Sequence, residues 1–158
     1  QYAEKVVPPR AEEIDRVGRV PMETIKKAAE LGLMGVPFPQ KYGGAGAGET
    51  GYCILMEEMN KVCGSTATVI GAHTGIGAMA IYLDGTEEQK KKYLVPLAKG
   101  ELIAAFALTE ANAGSDAAAI QTRAVRDGNE LSLIHISEPN ETVLELVCRL
   151  LLEKKKNN

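Results

Sequence analysis

The stretch "STATVIGAHTGIGAMAIYL", Ser65 to Leu83, decides how the rest of the chain is read. It carries no charged residue and approaches the ~20 mostly apolar positions that a membrane span requires. Its apolar character comes largely from Gly, Thr and Ala, and it contains His73. Such a composition suits a buried, close-packed helix better than a lipid-facing one. Gly71 and Gly75 sit one turn apart and permit close backbone approach. Each Gly costs a helix about 1 kcal/mol relative to Ala, so packing must compensate. The expectation is a central helix surrounded by others, with His73 a packed, hydrogen-bonded core side chain rather than a ligand or a general base.

Upstream, residues 10–17 read as the end of a helix. A second helix is expected from Pro21 to Leu31, with Pro21 at its first position and Gly32 and Gly35 closing it. "VPFPQKYGGAGAG" reads as a loop by composition. The next helix has the clearest signal. Tyr52, Leu55, Met56, Met59, Val62 and Cys63 follow i, i+3, i+4, i+7 spacing, and Glu57, Glu58 and Lys61 fall on the other face.

Downstream, Thr86-Glu-Glu-Gln89 is a capping-box pattern, with two acids at the positive helix end. That helix carries Tyr93, Leu94 and Leu97 inward and stops at Gly100. At Leu102 the period changes. "LIAAFAL", residues 102–108, reads as a buried strand. "IQTRAVR" alternates, and "DGN" signals a hairpin turn. The fold class is therefore mostly α: a helical bundle followed by the first strands of a β region.

Composition sets further limits. With 158 residues, 45% of them hydrophobic, the chain is long enough for one core. A net charge of −3 gives no case for nucleic-acid binding. Cys53, Cys63 and Cys148 lack C-x-x-C spacing and read as free buried thiols of a reducing cytosol. Two His and three Cys leave no case for a metal site. The chain begins at Gln1 rather than Met, which reads as a cut reading frame. "GAGETG", Gly46–Gly51, matches G-x-G-x-x-G. A dinucleotide site needs a preceding strand and an acid about 20 residues on, and the sequence offers a Pro-rich loop and "TVIGAH" instead. A flexible helix-entry loop is the expectation. Neither a Ser/His/Asp order nor a paired-carboxylate geometry is present to support hydrolysis.

One stretch asks for a ligand: "FALTEANAGSD", Phe106–Asp116. Thr109 and Ser115 bring hydroxyls that donate and accept. Ala111, Asn112, Ala113 and Gly114 bring backbone N–H groups with little steric cover. Oriented N–H groups with hydroxyls suit phosphate oxygens or the edge of a heterocycle. A plain strand-to-strand turn explains the same residues.

This stretch resembles the FAD loop of the acyl-CoA dehydrogenases, approximately [FY]-x-[LVM]-T-E-P-x-x-G-S-D. Ala111 stands where that family usually has Pro, which adds an N–H and loosens the turn. "AELGLMGVPFPQKYGGAGAG" is similar to the family's helix and its P-x-x-Y-G-G-x-G loop. "GTEEQKKKYLVPLAKGELIAAFALTE" is similar to its helix leading into the first β strand. The resemblance runs without gaps from about Val7 to Leu131. It implies a helical N-terminal domain over 1–101 and the start of a β domain with its FAD loop over 102–131.

The resemblance also implies an activity: α,β-desaturation of an acyl-CoA thioester. In that reaction a Glu removes the α proton, a hydride passes to flavin, and electrons leave to electron-transfer flavoprotein. Phe106, Ala107, Leu108, Thr109, Glu110, Ala111, Asn112, Ala113, Gly114 and Ser115 would contact FAD. Leu108 and Thr109 would address the flavin ring, and Ser115 would lie near the pyrophosphate and the acyl-CoA. The family's catalytic Glu belongs to a C-terminal domain, so no residue here is expected to be catalytic, Glu57, Glu58 and Glu110 included. The chain is expected to be an inactive fragment of a cytoplasmic, homo-oligomeric (tetrameric) enzyme of short to medium acyl chains. An acyl-CoA oxidase-like flavoprotein and a helical interaction module without cofactor stay open.

The tail "SLIHISEPNETVLELVCRLLLEKKKNN", Ser132–Asn158, resembles nothing in that family. It is similar to translated sequencing adapter and is expected to have no function. Leu133 and Ile134 can extend the hairpin, and Val143, Leu146, Val147, Leu150 and Leu151 have helical spacing over 141–154.

Overall fold

The computed structural model describes residues 2–128 and 130–134. The chain forms two compact units, the first ending at Ala104 and the second beginning at Ala105. The helix expected over 141–154 and the thiol of Cys148 lie outside the described residues.

The first unit is helical. After a π turn over Tyr2–Val6 come α1 (Pro8–Val17) and α2 (Met22–Glu30). Pro21 is the N-cap of α2 rather than its first turn, with extended backbone. The fixed φ of proline suits either position, and the missing N–H is harmless in both. Gly18 and Gly32 end the two helices in the left-handed conformation. One face of each helix is apolar. Ile14, Ile25 and Ala28 meet Tyr2, Val7, Met34, Met59 and Ile70 in one core. Tyr2 donates its hydroxyl to the Thr24 carbonyl at 2.8 Å, and burial, with a lesser contribution from Cys63, pushes its pKa up to about 12.

Between α2 and α3 the chain makes two 3-10 turns, Leu33–Gly35 and Gln40–Tyr42. The expected loop is thus compact. Gly44 packs so closely that a Cβ would lie 2.1 Å from the Phe38 carbonyl oxygen. α3 (Gly48–Asn60) opens directly from this loop, with no strand before it. The G-x-G-x-x-G match is therefore a helix entry. Met59 is buried, while Glu57 and Glu58 pair with Lys61 on the exposed face, at 3.1 and 2.6 Å. Cys53 departs from expectation: it is exposed, because it shares the outward face with Glu57 one turn later. Cys63 is buried, and its sulfur caps the next helix by accepting from the Thr66 amide and hydroxyl.

The uncharged stretch forms α4 (Gly64–Asp84), long and apolar enough to cross a membrane by composition alone. Its polar side chains show a core helix instead. Thr66, His73 and Thr74 are fully buried within the unit and hydrogen-bonded. Across Gly71 and Gly75 lies Tyr52 of α3, whose hydroxyl donates to the Gly71 carbonyl at 3.3 Å. The glycine pair, expected to admit a neighbouring backbone, admits the Tyr52 side chain instead. A widened π turn, Ala72–Ala78, interrupts the helix there.

α5 consists of Glu87–Gln89, Lys90–Leu94 and Val95–Ala98 laid end to end. Thr86 and Gln89 form the expected capping box: the Gln89 amide donates to Thr86 Oγ1, and the Thr86 amide to Gln89 Oε1. The middle segment is a π turn, which accommodates the missing N–H of Pro96 in the next turn. At its end the Glu101 amide reaches the Pro96 carbonyl and the Gly100 amide the Leu97 carbonyl, both at 2.9 Å. Tyr82 of α4 meets Phe38 edge-on, and Tyr42 donates to Glu87 Oε1 at 2.7 Å, which holds the loop to α4 and α5.

The second unit contains an antiparallel hairpin, β1 (Arg123–Asp127) paired with β2 (Glu130–Ile134). Arg123 faces Ile134 and Asp127 faces Glu130, with Gly128 at φ +58° in the turn. The turn signal and the extension by Leu133 and Ile134 are as expected. The strand expected at 102–108 is absent among the described residues. Leu102, Ile103 and Leu108 are exposed there rather than buried. A strand needs a partner's backbone groups, and the described ladder is confined to β1 and β2.

Two outcomes follow from this packing. Gly100 has φ +70°, and a Cβ there would lie 2.4 Å from the Ala29 Cβ; Gly18 has φ +67° and open space. In denaturant unfolding, Gly18→Ala should cost about 1 kcal/mol and Gly100→Ala about 3 kcal/mol or more, because only the second adds a collision with the Ala29 Cβ to the left-handed penalty. Thr24 is buried, and its hydroxyl is unpaired among the described residues. Thr24→Val removes an unsatisfied oxygen without changing shape, and should leave stability unchanged or raise it by up to about 1 kcal/mol.

Candidate functional site

The loop expected to bind a ligand lies at the start of the second unit. Its shape is set by backbone bonds between two residues. The Glu110 amide donates to the Ala113 carbonyl at 3.0 Å, and the Ala113 amide donates to the Glu110 carbonyl at 3.1 Å. This reciprocal pair closes a tight turn with Ala111 and Asn112 exposed at its tip and Ala113 buried. The bonds use the N–H groups of residues 110 and 113 only. A proline at position 111 would therefore cost the turn no hydrogen bond, which reconciles Ala111 with the motif it departs from.

Each flanking acid acts on its own chain. The Glu110 carboxylate accepts from the Gln121 amide through Oε2 and from the Thr122 amide through Oε1, both at 2.8 Å. It clamps the loop to the entry of the hairpin. Asp116 caps the 3-10 turn Ala117–Ala119: its Oδ1 accepts from the Ala118 amide at 3.2 Å, and its carbonyl from the Ala119 amide at 3.1 Å. The Asp116 cap is local and Asp is a favoured capping residue; the Glu110 clamp has no local sequence signal. The clamp joins residues 11 and 12 positions apart through backbone donors that every residue type supplies.

With the turn closed this way, a set of donors faces outward. Thr109 and Ser115 are exposed, as are Leu108, Ala111, Asn112 and Gly114; Phe106 and Ala107 are half-buried. The backbone N–H groups of Ala111, Asn112, Gly114 and Ser115 make no hydrogen bond among the described residues. Gly114 adds a further point. A Cβ built there meets nothing within 4 Å, so its small size is not demanded by the chain's own packing. Where packing dictates glycine, as at Gly35 or Gly44, the added Cβ falls within 2.5 Å of a carbonyl oxygen. The loop thus offers amides, two hydroxyls and an uncovered glycine on a clamped frame. That donor set fits the polar edge of a heterocycle and phosphate oxygens. Among the described residues no group of three His, Cys, Asp or Glu side chains is placed to hold a metal.

Comparison with known proteins gives this geometry a family. The family described as "Acyl-CoA dehydrogenase, N-terminal domain" matches residues 1–101. The chain is 54% identical over 129 residues to the short-chain specific acyl-CoA dehydrogenase of Clostridium acetobutylicum, covering 82% of this chain and 34% of that protein. A solved structure of the electron transferring flavoprotein of Acidaminococcus fermentans contains a chain similar at TM-score 0.79 and 42% identity, covering 84% of this chain and 35% of that one. An acyl-CoA dehydrogenase from Bacillus anthracis, solved in complex with FAD, is similar at TM-score 0.68 and 42% identity, over 78% of this chain and 21% of that one. The chain belongs to the acyl-CoA dehydrogenase family, and its helical unit is that family's N-terminal domain. It spans about a third of the length of the curated relative it matches.

The clamp can be checked directly. Glu110→Ala should release the Gln121 and Thr122 amides, and their hydrogen exchange should accelerate. Exchange in the interior of α4 should stay as it was, since that helix lies in the other unit.

Proposed function

We propose that the protein of which this chain forms about a third is an FAD-dependent acyl-CoA dehydrogenase, taking one hydrogen from each of the α and β carbons of an acyl-CoA thioester. The carrying observation is the clamped loop Phe106–Ser115, with its amides and hydroxyls turned outward, directly after the family's N-terminal domain. Bound FAD would supply the two-electron acceptance on which this desaturation depends. The chain's own residues would bind and orient. Leu108 would present an apolar surface and Thr109 a hydroxyl toward the flavin ring. The N–H groups of Ala111, Asn112 and Gly114 would meet polar atoms of the cofactor. Phe106, Ala107, Glu110 and Ala113 would form the frame that holds these donors. Ser115 would reach the pyrophosphate and the acyl-CoA.

The rest of the reading concerns the whole enzyme. Electrons would leave to an electron-transfer flavoprotein, and the enzyme would be a cytoplasmic homotetramer acting in fatty acid metabolism. Short to medium acyl chains are favoured by the similarity to a short-chain specific relative. The family's domains would run over 1–101 and from 102 to 131, with a tail from 132 that is foreign to the family although its residues 132–134 extend β2. The carboxylate that takes the α proton would come from outside this chain, which by itself would be inactive.

In the full-length protein, Thr109→Val and Ser115→Ala should each weaken flavin retention. Each leaves a polar group of the cofactor unpaired at about 1–3 kcal/mol, or roughly 5- to 150-fold in affinity. Flavin content after dialysis, read from visible absorbance, measures it. Unchanged content and unchanged turnover in both variants would remove these residues from the site.

A further inference from the structure

His73 is the most deeply enclosed titratable side chain of the first unit, and the function proposed above does not use it. The π turn Ala72–Ala78 carries two consecutive buried residues, His73 and Thr74. Thr74 donates its hydroxyl to the Met34 carbonyl at 3.3 Å. His73 makes two bonds of opposite polarity. Its Nε2 lies 3.1 Å from the Leu97 carbonyl, and its Nδ1 accepts from the Ala104 amide at 2.9 Å. A carbonyl can only accept and an amide N–H can only donate. The ring must therefore carry its proton on Nε2 and keep Nδ1 bare.

The Ala104 amide is the last such anchor before the loop. Leu102 and Ile103 before it are exposed, and Phe106 follows two residues later. We propose that His73 is a positioning residue: its neutral ring holds the Ala104 amide and thereby fixes the point from which the chain enters the loop Phe106–Ser115. This inference rests on the reading of that loop as the flavin-contacting segment.

The bond depends on protonation. A second ring proton would sit on Nδ1 and face the Ala104 N–H, placing two donors against each other. Burial pushes the His73 pKa below its ordinary 6.5, opposed in part by the Leu97 and Met34 carbonyls. No charged side chain contributes to the depression. Asp84 is the one charged residue of α4 itself; the segments that supply the partners of His73 and Thr74 carry Lys99 and Glu101 beyond α5, and all three are exposed, while the Leu33–Gly35 turn carries none. The sign follows from linkage. The unfolded chain takes up the proton at about 6.5 and the folded chain only at lower pH. Stability from this group is complete above that value, falls as pH drops toward the depressed folded value, and then levels off. The Ala104 bond is lost only at the lower end of that range and below, where the folded ring itself takes up the proton.

Two substitutions separate the two ring nitrogens. In His73→Asn the side-chain oxygen can occupy the place of Nδ1 and still accept from Ala104. In His73→Gln the longer side chain puts its amide near the place of Nε2 and keeps only the bond to Leu97. Hydrogen exchange at Ala104 in the 158-residue chain should be roughly tenfold faster in His73→Gln than in His73→Asn, a difference that mere loss of packing would not produce. The wild-type chain gives an independent readout that needs no variant: ring ¹⁵N shifts should show an unprotonated Nδ1 at neutral pH, and protonation on acidification should coincide with loss of Ala104 protection. A protonated Nδ1 at neutral pH, or equal Ala104 exchange in the two variants, overturns the bond and the proposal. In the full-length protein, flavin retention should fall in His73→Gln and recover in His73→Asn. If Ala104 exchange separates the variants while flavin retention does not, the positioning role is overturned although the bond stands. A wild-type full-length protein that binds no FAD would overturn the flavin reading of the loop and the positioning role with it, and the ring shifts and Ala104 exchange would show that separately.

Discussion

The helical unit depends on a pair of buried polar side chains that join the centre of α4 to backbone carbonyls of two other segments. His73 and Thr74 project from one widened turn of α4 toward the Leu97 and Met34 carbonyls. Both carbonyls lie at chain reversals, one at the end of α5 and the other in the Leu33–Gly35 turn. A buried polar side chain without a partner costs about 1–3 kcal/mol, so His73 and Thr74 can be buried only where these carbonyls meet them. Both residues sit within the π turn Ala72–Ala78.

Around this knot the packing tolerates no extra atoms. A Cβ at Gly35 would lie 2.5 Å from the Ala98 carbonyl oxygen, and one at Gly100 would strike Ala29. The end of α5 and the turn after α2 are therefore in backbone contact, and the glycines at the centre of α4 take the Tyr52 side chain of α3 against them. That proximity explains how a stretch poor in large side chains can serve as a core helix. Its contribution comes from closeness and hydrogen bonding more than from apolar area. It also separates α4 from a membrane span of equal length, whose polar residues would have no such partners in lipid.

The second unit follows a different rule. Its loop is small and polar, and two acidic side chains hold it by accepting backbone amides. Glu110 shows how charge can be spent on architecture: both oxygens are used on the hairpin entry. The donors left outward are then a consequence of which amides the turn consumed. That is the physical content of the motif in this chain. Residues 110, 113 and 116 build the frame, and residues 109, 111, 112, 114 and 115 face away from it.

By itself the sequence determined whatever is local. The capping box at Thr86, the apolar face of α3, the turn at Asp127-Gly128 and the core character of Ser65–Leu83 all follow from spacing and residue type. So does the small-residue loop, since few arrangements of Thr, Glu, Asn, Gly and Ser leave so many uncovered donors. Tertiary structure decided everything that joins distant backbone groups. The partners of His73 lie 24 and 31 residues away, and both are main-chain atoms. Cys63 became a helix cap and Cys53 an exposed thiol, although both read as small buried hydrophobes. Residues 102–108 had the composition of a strand and formed none among the described residues, because a strand exists only where a neighbour's amides and carbonyls lie alongside it. A side chain announces its own chemistry in the sequence. A backbone donor or acceptor is the same at almost every position, and only the fold determines which of them a side chain will meet.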